Sequence, residues 1–112
     1  NAEFARRLQQ AGVVLIGPSP EAVRKMGDKI ESKKIALKAG VNSVPGVLEA
    51  ISGPEAAKKV VEEIGYPVMI KAAAGGGGKG MRVARNEKEL LDGIKSAASE
   101  AASSFKDDRV FI

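Results

Sequence analysis

Lys71 and the glycine run that follows it are the residues of this sequence best suited to chemistry, and that chemistry is the holding of an anion. Gly75, Gly76, Gly77 and Gly78 are consecutive. Each costs more backbone entropy to order than a substituted residue. In return they allow close backbone approach, with several N–H groups free to converge on one anion. Lys71 closes an apolar stretch, and a charged group in such a strand is rarely buried without a partner. It either snorkels to solvent or aims its ammonium at a phosphate, a charge-assisted contact. Lys29 is the second candidate. It falls in the first turn of a predicted helix, where the dipole disfavours a cation by about 0.3–1 kcal/mol. The side chain either bends away into water or meets an anion brought to the same helix end.

The elements that must position these groups are two strands. Val68, Met69 and Ile70 are strand formers, and Met81, Arg82 and Val83 restore the pattern after the glycines. Three phosphate-binding templates can be laid on the loop between them. A P-loop needs a glycine where Ala73 stands and a hydroxyl where Gly80 stands. G-x-G-x-x-G occurs at Gly75, Gly77 and Gly80, but a dinucleotide fold requires a helix to begin there, and a strand is expected instead. The glycine loop of protein kinases also joins two strands over phosphates, yet Arg82 occupies the place of its valine and no catalytic-loop signature follows. A flap over phosphate groups and a flexible structural hairpin both remain open on spacing alone. Under the first reading Gly75 to Gly80 should be disordered or poorly protected without nucleotide.

Around this centre the pattern predicts a helix over Ala2–Gln10 and a short buried strand at Val13–Ile16. A helix capped by Ser19 follows, with Pro20 first and Val23 and Met26 facing inward. Asp28 and Glu31 form a capping box for a helix running to about Ala39, and Ser52 with Glu55 forms another. The helix after Ser52 places Ala57, Val60, Val61 and Ile64 on one stripe. Asn86 and Glu89 start the longest helix, with Leu90, Leu91, Ile94, Ala97, Ala98, Ala101 and Phe105 inward. Arg109 to Ile112 begins a further strand.

Composition narrows the function classes. The 112 residues contain no cysteine and no histidine, so disulfides, thiolate metal sites and imidazole catalysis are absent from them. No apolar run is long enough to cross a membrane, and the first ten residues lack the apolar core of a secretory signal. The net charge of +4 comes from basic residues interleaved with acids, and only Phe4, Tyr66, Phe105 and Phe111 are aromatic. Nucleic-acid binding is therefore disfavoured, while a small anionic ligand suits a modest basic excess.

The stretch YPVMIKAAAGGGGKG, positions 66 to 80, resembles the nucleotide-binding signature shared by biotin carboxylases and carbamoyl-phosphate synthetases, both ATP-grasp enzymes. IGPSPEAVRKMGDK, positions 16 to 29, resembles the biotin carboxylase branch, since carbamoyl-phosphate synthetases usually carry an E-D-R segment at Met26-Gly27-Asp28. EAASSF and DDRVFI, at 100 to 105 and 107 to 112, resemble the alpha subunits of propionyl-CoA carboxylase and its acyl-CoA carboxylase relatives.

The resemblance implies an ATP-dependent ligase: ATP, bicarbonate and biotin yield carboxybiotin, ADP and phosphate. It implies that Lys29 and Lys71 contact ATP phosphates, that Gly75, Gly76, Gly77 and Gly78 form the mobile phosphate loop, with Gly77 and Gly78 as backbone donors, and that Met81 lies near the adenine. Ala74 replaces a glycine found in some biotin carboxylases. The implied fold is α/β (α+β): residues 1–40 end an amino-terminal domain, 41–53 link, and 54–112 form most of an ATP-grasp lid with antiparallel strands and two packing helices. Mg2+ or Mn2+ ligands, the bicarbonate and biotin sites, and the biotin carrier domain are expected beyond Ile112. A carboxyltransferase subunit is the expected partner, and the segment alone is expected to be inactive. A bacterial cytoplasm or a mitochondrial matrix is the expected compartment, not secretion. The alternatives are a segment of carbamoyl-phosphate synthetase or a non-enzymatic structural domain with a flexible glycine hairpin.

Overall fold

The computed structural model describes residues 1–112. Its elements are α1 (Ala2–Gln10), α2 (Pro20–Gly27), α3 (Lys29–Lys38), α4 (Pro54–Ile64), β1 (Val68–Ala72), β2 (Met81–Ala84), α5 (Glu87–Phe105) and β3 (Val110–Phe111). The arrangement is mixed α/β, as expected. The three strands form one antiparallel sheet in the order β2-β1-β3. Lys71 stands opposite Met81 on one side and Phe111 on the other.

Burial along β1 alternates, with Val68, Ile70 and Ala72 covered while Met69 and Lys71 lie on the open face. The covered face packs on α5, whose buried stripe is Leu90, Gly93, Ala97 and Ala101. Gly93 sets the distance between helix and sheet, because a Cβ there would stand 2.7 Å from Ile70 Cδ1. Ala57 and Val61 of α4 close the core, together with Val110 and Ile112. A smaller cluster of Ile30, Ala73 and Phe111 docks α3 against the far end of the sheet. Between α3 and α4 the backbone is tied to the β3 region, Val47 N–H donating to Ile112 O at 3.0 Å and Ile51 N–H to Val110 O at 2.8 Å. No helix is long and apolar enough to cross a membrane.

Five local expectations are corrected. Val13–Ile16 forms no strand and Ile16 is fully exposed; the segment pairs with none of the three strands of the sheet. Met26 is exposed rather than inward, and Ile64 is only partly covered. Ser52 does not cap α4; Gly53 holds the cap position with no side-chain bond, and Pro54 supplies the first turn without an N–H to satisfy. At α3 the cap is present but the box is not reciprocal. Asp28 Oδ1 accepts from Ile30 N–H and Glu31 N–H at 2.9 and 3.0 Å, whereas Glu31 reaches forward to Lys34. Asp28→Ala is therefore expected to cost about 1–2 kcal/mol of stability, and Ser52→Ala nothing measurable. Thermal unfolding of the two variants checks this, and equal shifts would contradict the capping assignment.

Candidate functional site

Lys29, Lys33 and Lys71 line one cavity of about 820 Å³. Lys71 arrives from the open face of β1, beside Met69. Lys29 and Lys33 arrive one turn apart on α3, on neighbouring positions of one helix face. Ile30, buried against Ala73 and Phe111, holds the start of that helix in place, and Lys29 N–H donates to Ala73 O at 3.0 Å. The remaining wall is mostly apolar, from Val44, Pro45, Val68 and Ile112 among others, with Ser32 and Ser43 as its hydroxyls.

A second clasp fixes the same corner. Arg109 Nη2 reaches Asp28 Oδ2 at 2.8 Å and Asp107 Oδ2 at 2.6 Å. Burial pushes the Asp28 carboxyl up, but the Glu31 N–H, Arg109 and Ile30 N–H outweigh it and hold the group below its ordinary range. Arg109 likewise keeps Asp107 low. A lowered carboxylate stabilises the fold above its unfolded pKa and loses that contribution as pH falls through the folded value, so the clasp is intact at neutral pH.

The cavity is electrostatically one-sided. No aspartate or glutamate lines it, and none of the three lysines joins a salt bridge. Burial lowers the Lys29 ammonium below its ordinary range, the Lys71 charge lowers it further, and Asp28 opposes both. Two cations that disfavour each other beside a partly apolar cavity are arranged for an anion.

The glycine loop begins at this corner. Lys29 Nζ donates to Gly75 O at 2.5 Å. Gly75 has φ +85° and lies against the Phe105 ring, which any Cβ there would strike. The N–H groups of Gly75, Gly76, Gly77 and Gly78 donate no hydrogen bond within the chain, and all four residues are exposed. Gly80 differs: it is buried, and its N–H donates to Glu100 Oε2 at 2.9 Å. The structure thus brings Lys29, Lys71 and the root of the loop together. The loop glycines and Met81 are not part of the cavity wall, although Met81 is cross-strand partner to Lys71 and shares its face.

Sequence reasoning missed Lys33, Arg109 and Glu100. Lys33 had a usable signal, four residues after Lys29 on one helix. Arg109 and Glu100 had none, since their partners lie 81 and 20 residues away. No three histidine, cysteine, aspartate or glutamate side chains come together.

Residues 28–112 match the family model described as carbamoyl-phosphate synthase L chain, ATP binding domain. Over all 112 residues the chain is 54% identical to the propionyl-CoA carboxylase alpha chain of Ruegeria pomeroyi and 55% identical to the mitochondrial alpha chain of Homo sapiens. It spans 16% and 15% of those two proteins. The biotin carboxylase domain of Hydrogenobacter thermophilus 2-oxoglutarate carboxylase, solved with MgADP, ADP and bicarbonate, superposes with a TM-score of 0.96 at 42% identity. That match covers 99% of this chain and 24% of the other.

Proposed function

The chain belongs to the carbamoyl-phosphate synthase L chain ATP-binding family, and from that premise we propose that it forms the nucleotide-covering lid of a biotin carboxylase. The observation that carries the proposal is the cavity bearing three lysines without a salt bridge and no acid, beside a loop whose amides are unengaged. Nucleoside triphosphate phosphates supply the negative charge this corner lacks. The relatives that match over the whole chain are propionyl-CoA carboxylase alpha chains, which favours a biotin-dependent acyl-CoA carboxylase over a carbamoyl-phosphate synthetase.

In this reading Lys29 and Lys71 contact the ATP phosphates and offset charge on the phosphoryl group as it transfers to bicarbonate. Gly75 to Gly78 lend their N–H groups to the phosphates, with Gly77 and Gly78 the principal donors. Met81, with Met69 on the same open face, lies toward the adenine. The phosphoryl transfer gives carboxyphosphate and ADP, and carboxylation of biotin then releases phosphate, with the biotin held by the remainder of the parent enzyme. Ligands for Mg2+, the biotin site, the carrier domain and the contacts to a carboxyltransferase subunit belong to the remainder of that protein, and residues 1–112 are not catalytic alone. Residues 1–40 end its amino-terminal domain, 41–53 connect, and 54–112 are the lid. A bacterial cytoplasm or a mitochondrial matrix suits the two kinds of relative.

Biotin-dependent, bicarbonate-stimulated ATP hydrolysis by the full-length protein is the expected activity; ATP hydrolysis indifferent to biotin would overturn the assignment. A pH dependence follows from Lys29. Its folded pKa is lowered. Between that value and the ordinary one of about 10.4, the unfolded chain binds more protons and stability rises with pH. A bound phosphate reverses the preference by favouring the ammonium. Nucleotide affinity is therefore expected to fall as pH rises, beginning below the ordinary lysine range, and Lys29→Arg should flatten that fall. KM for ATP measured across alkaline pH checks this, and identical profiles for the two proteins would remove Lys29 from the phosphates.

A further inference from the structure

Both roots of the glycine loop rest on α5. At the first, Gly75 lies against Phe105. At the second, Gly80 is held three ways. Its N–H donates to Glu100 Oε2 at 2.9 Å, its carbonyl accepts from Ala72 N–H at 2.8 Å, and a Cβ there would stand 2.7 Å from Ala72 Cβ. The same Glu100 oxygen accepts from Arg82 Nη1 at 3.0 Å. Between the roots, no backbone N–H from Gly76 to Lys79 donates a hydrogen bond within the chain.

Arg82 is the cation on β2 closest in sequence to the loop. Its strand partner is Ile70, whose side chain packs on α5, so it projects to the side opposite Lys71. The register fixes that side, and there Arg82 Nη1 donates both to Met81 O at 2.7 Å and to Glu100. The Gly80 hydrogen bond and, less strongly, Arg82 hold the Glu100 carboxyl below its ordinary range against the opposing effect of burial, so the acceptor stays ionised at neutral pH.

We infer that Glu100 is a positioning residue for nucleotide binding: itself paired with Arg82, it pins Gly80, so that the loop moves only as a tip from Gly76 to Lys79 hinged on α5. This rests on the nucleotide-lid reading above. A loop free from Gly75 to Gly80 would have more conformations to lose on closing, and fixing its roots removes part of that cost.

The test uses the full-length protein with Glu100→Ala, Glu100→Gln and Lys71→Ala. Hydrogen exchange without nucleotide should show Gly80 protected and Gly76 to Gly78 fast in the wild type. Glu100→Ala should speed exchange at Gly80 by roughly tenfold, the size expected for one lost charge-assisted bond, and raise KM for ATP by a similar factor while kcat stays within about twofold. Glu100→Gln keeps an acceptor for Gly80 and should recover most of both. Unchanged exchange at Gly80 in Glu100→Ala would overturn the inference. So would faster exchange with unchanged KM, provided Lys71→Ala still raises KM; in that case the lid reading survives. If Lys71→Ala also leaves KM unchanged, the lid reading fails and this inference falls with it.

Discussion

Lys71→Ala is expected to lower kcat/KM for ATP by about 10- to 100-fold in the full-length protein, the loss of one hydrogen bond to a charged group at about 1.5–3 kcal/mol. The magnitude follows from the setting of Lys71. It has no carboxylate partner to compensate, burial and then the Lys71 charge hold the neighbouring Lys29 below its ordinary range, and the cavity between them contains no acid. The same absence of a partner means the fold should not suffer. Thermal unfolding of Lys71→Ala is expected to match the wild type, because no ion pair is broken and the side chain stands on the open face of β1. Unchanged ATP kinetics would take Lys71 out of the site.

The second large effect separates the loop's fold from its function. Gly77 and Gly80 both have positive φ, +68° and +66°, so alanine is strained at either. Space distinguishes them. A Cβ at Gly77 meets nothing within 4 Å, whereas at Gly80 it would overlap Ala72 Cβ and touch the buried face of α5. Gly77→Ala is expected to cost about 1–2 kcal/mol from backbone strain. Gly80→Ala adds overpacking of about 1–3 kcal/mol to that. Denaturant unfolding of both variants measures the difference. ATP kinetics should show the opposite emphasis for Gly77→Ala, a deficit larger than its modest loss of stability explains. Equal destabilisation of the two would contradict the packing assigned to Gly80.

The centre of the site was legible because its signals are local. A lysine ending an apolar strand, four glycines and a return strand occupy one continuous stretch, and β1 and β2 pair across it as expected. Asp28 announced the start of α3 for the same reason. What was not legible depends on partners distant in sequence. Val13–Ile16 has the composition of a buried strand, but a strand needs a partner, and none of β1, β2 and β3 pairs with it. Ser52 and Glu55 have capping-box spacing, yet Gly53 takes the cap position. Arg109 joins Asp28 across 81 residues and Glu100 joins Gly80 across 20, and no periodicity encodes either pairing. The resemblance to biotin carboxylases supplied the ligand, which the spacing of the glycines alone left open.

The most direct measurement is a titration of glycine-labelled full-length protein with ATP, following the amide resonances under conditions where ATP turnover shows the site is occupied. The expected result is that Gly76, Gly77 and Gly78 shift most while Gly53 and Gly93 stay fixed, and that the shifts vanish when Lys29 and Lys71 are both replaced by alanine. Occupied enzyme in which the loop glycines do not move, or move identically without the two lysines, would contradict a phosphate-covering lid.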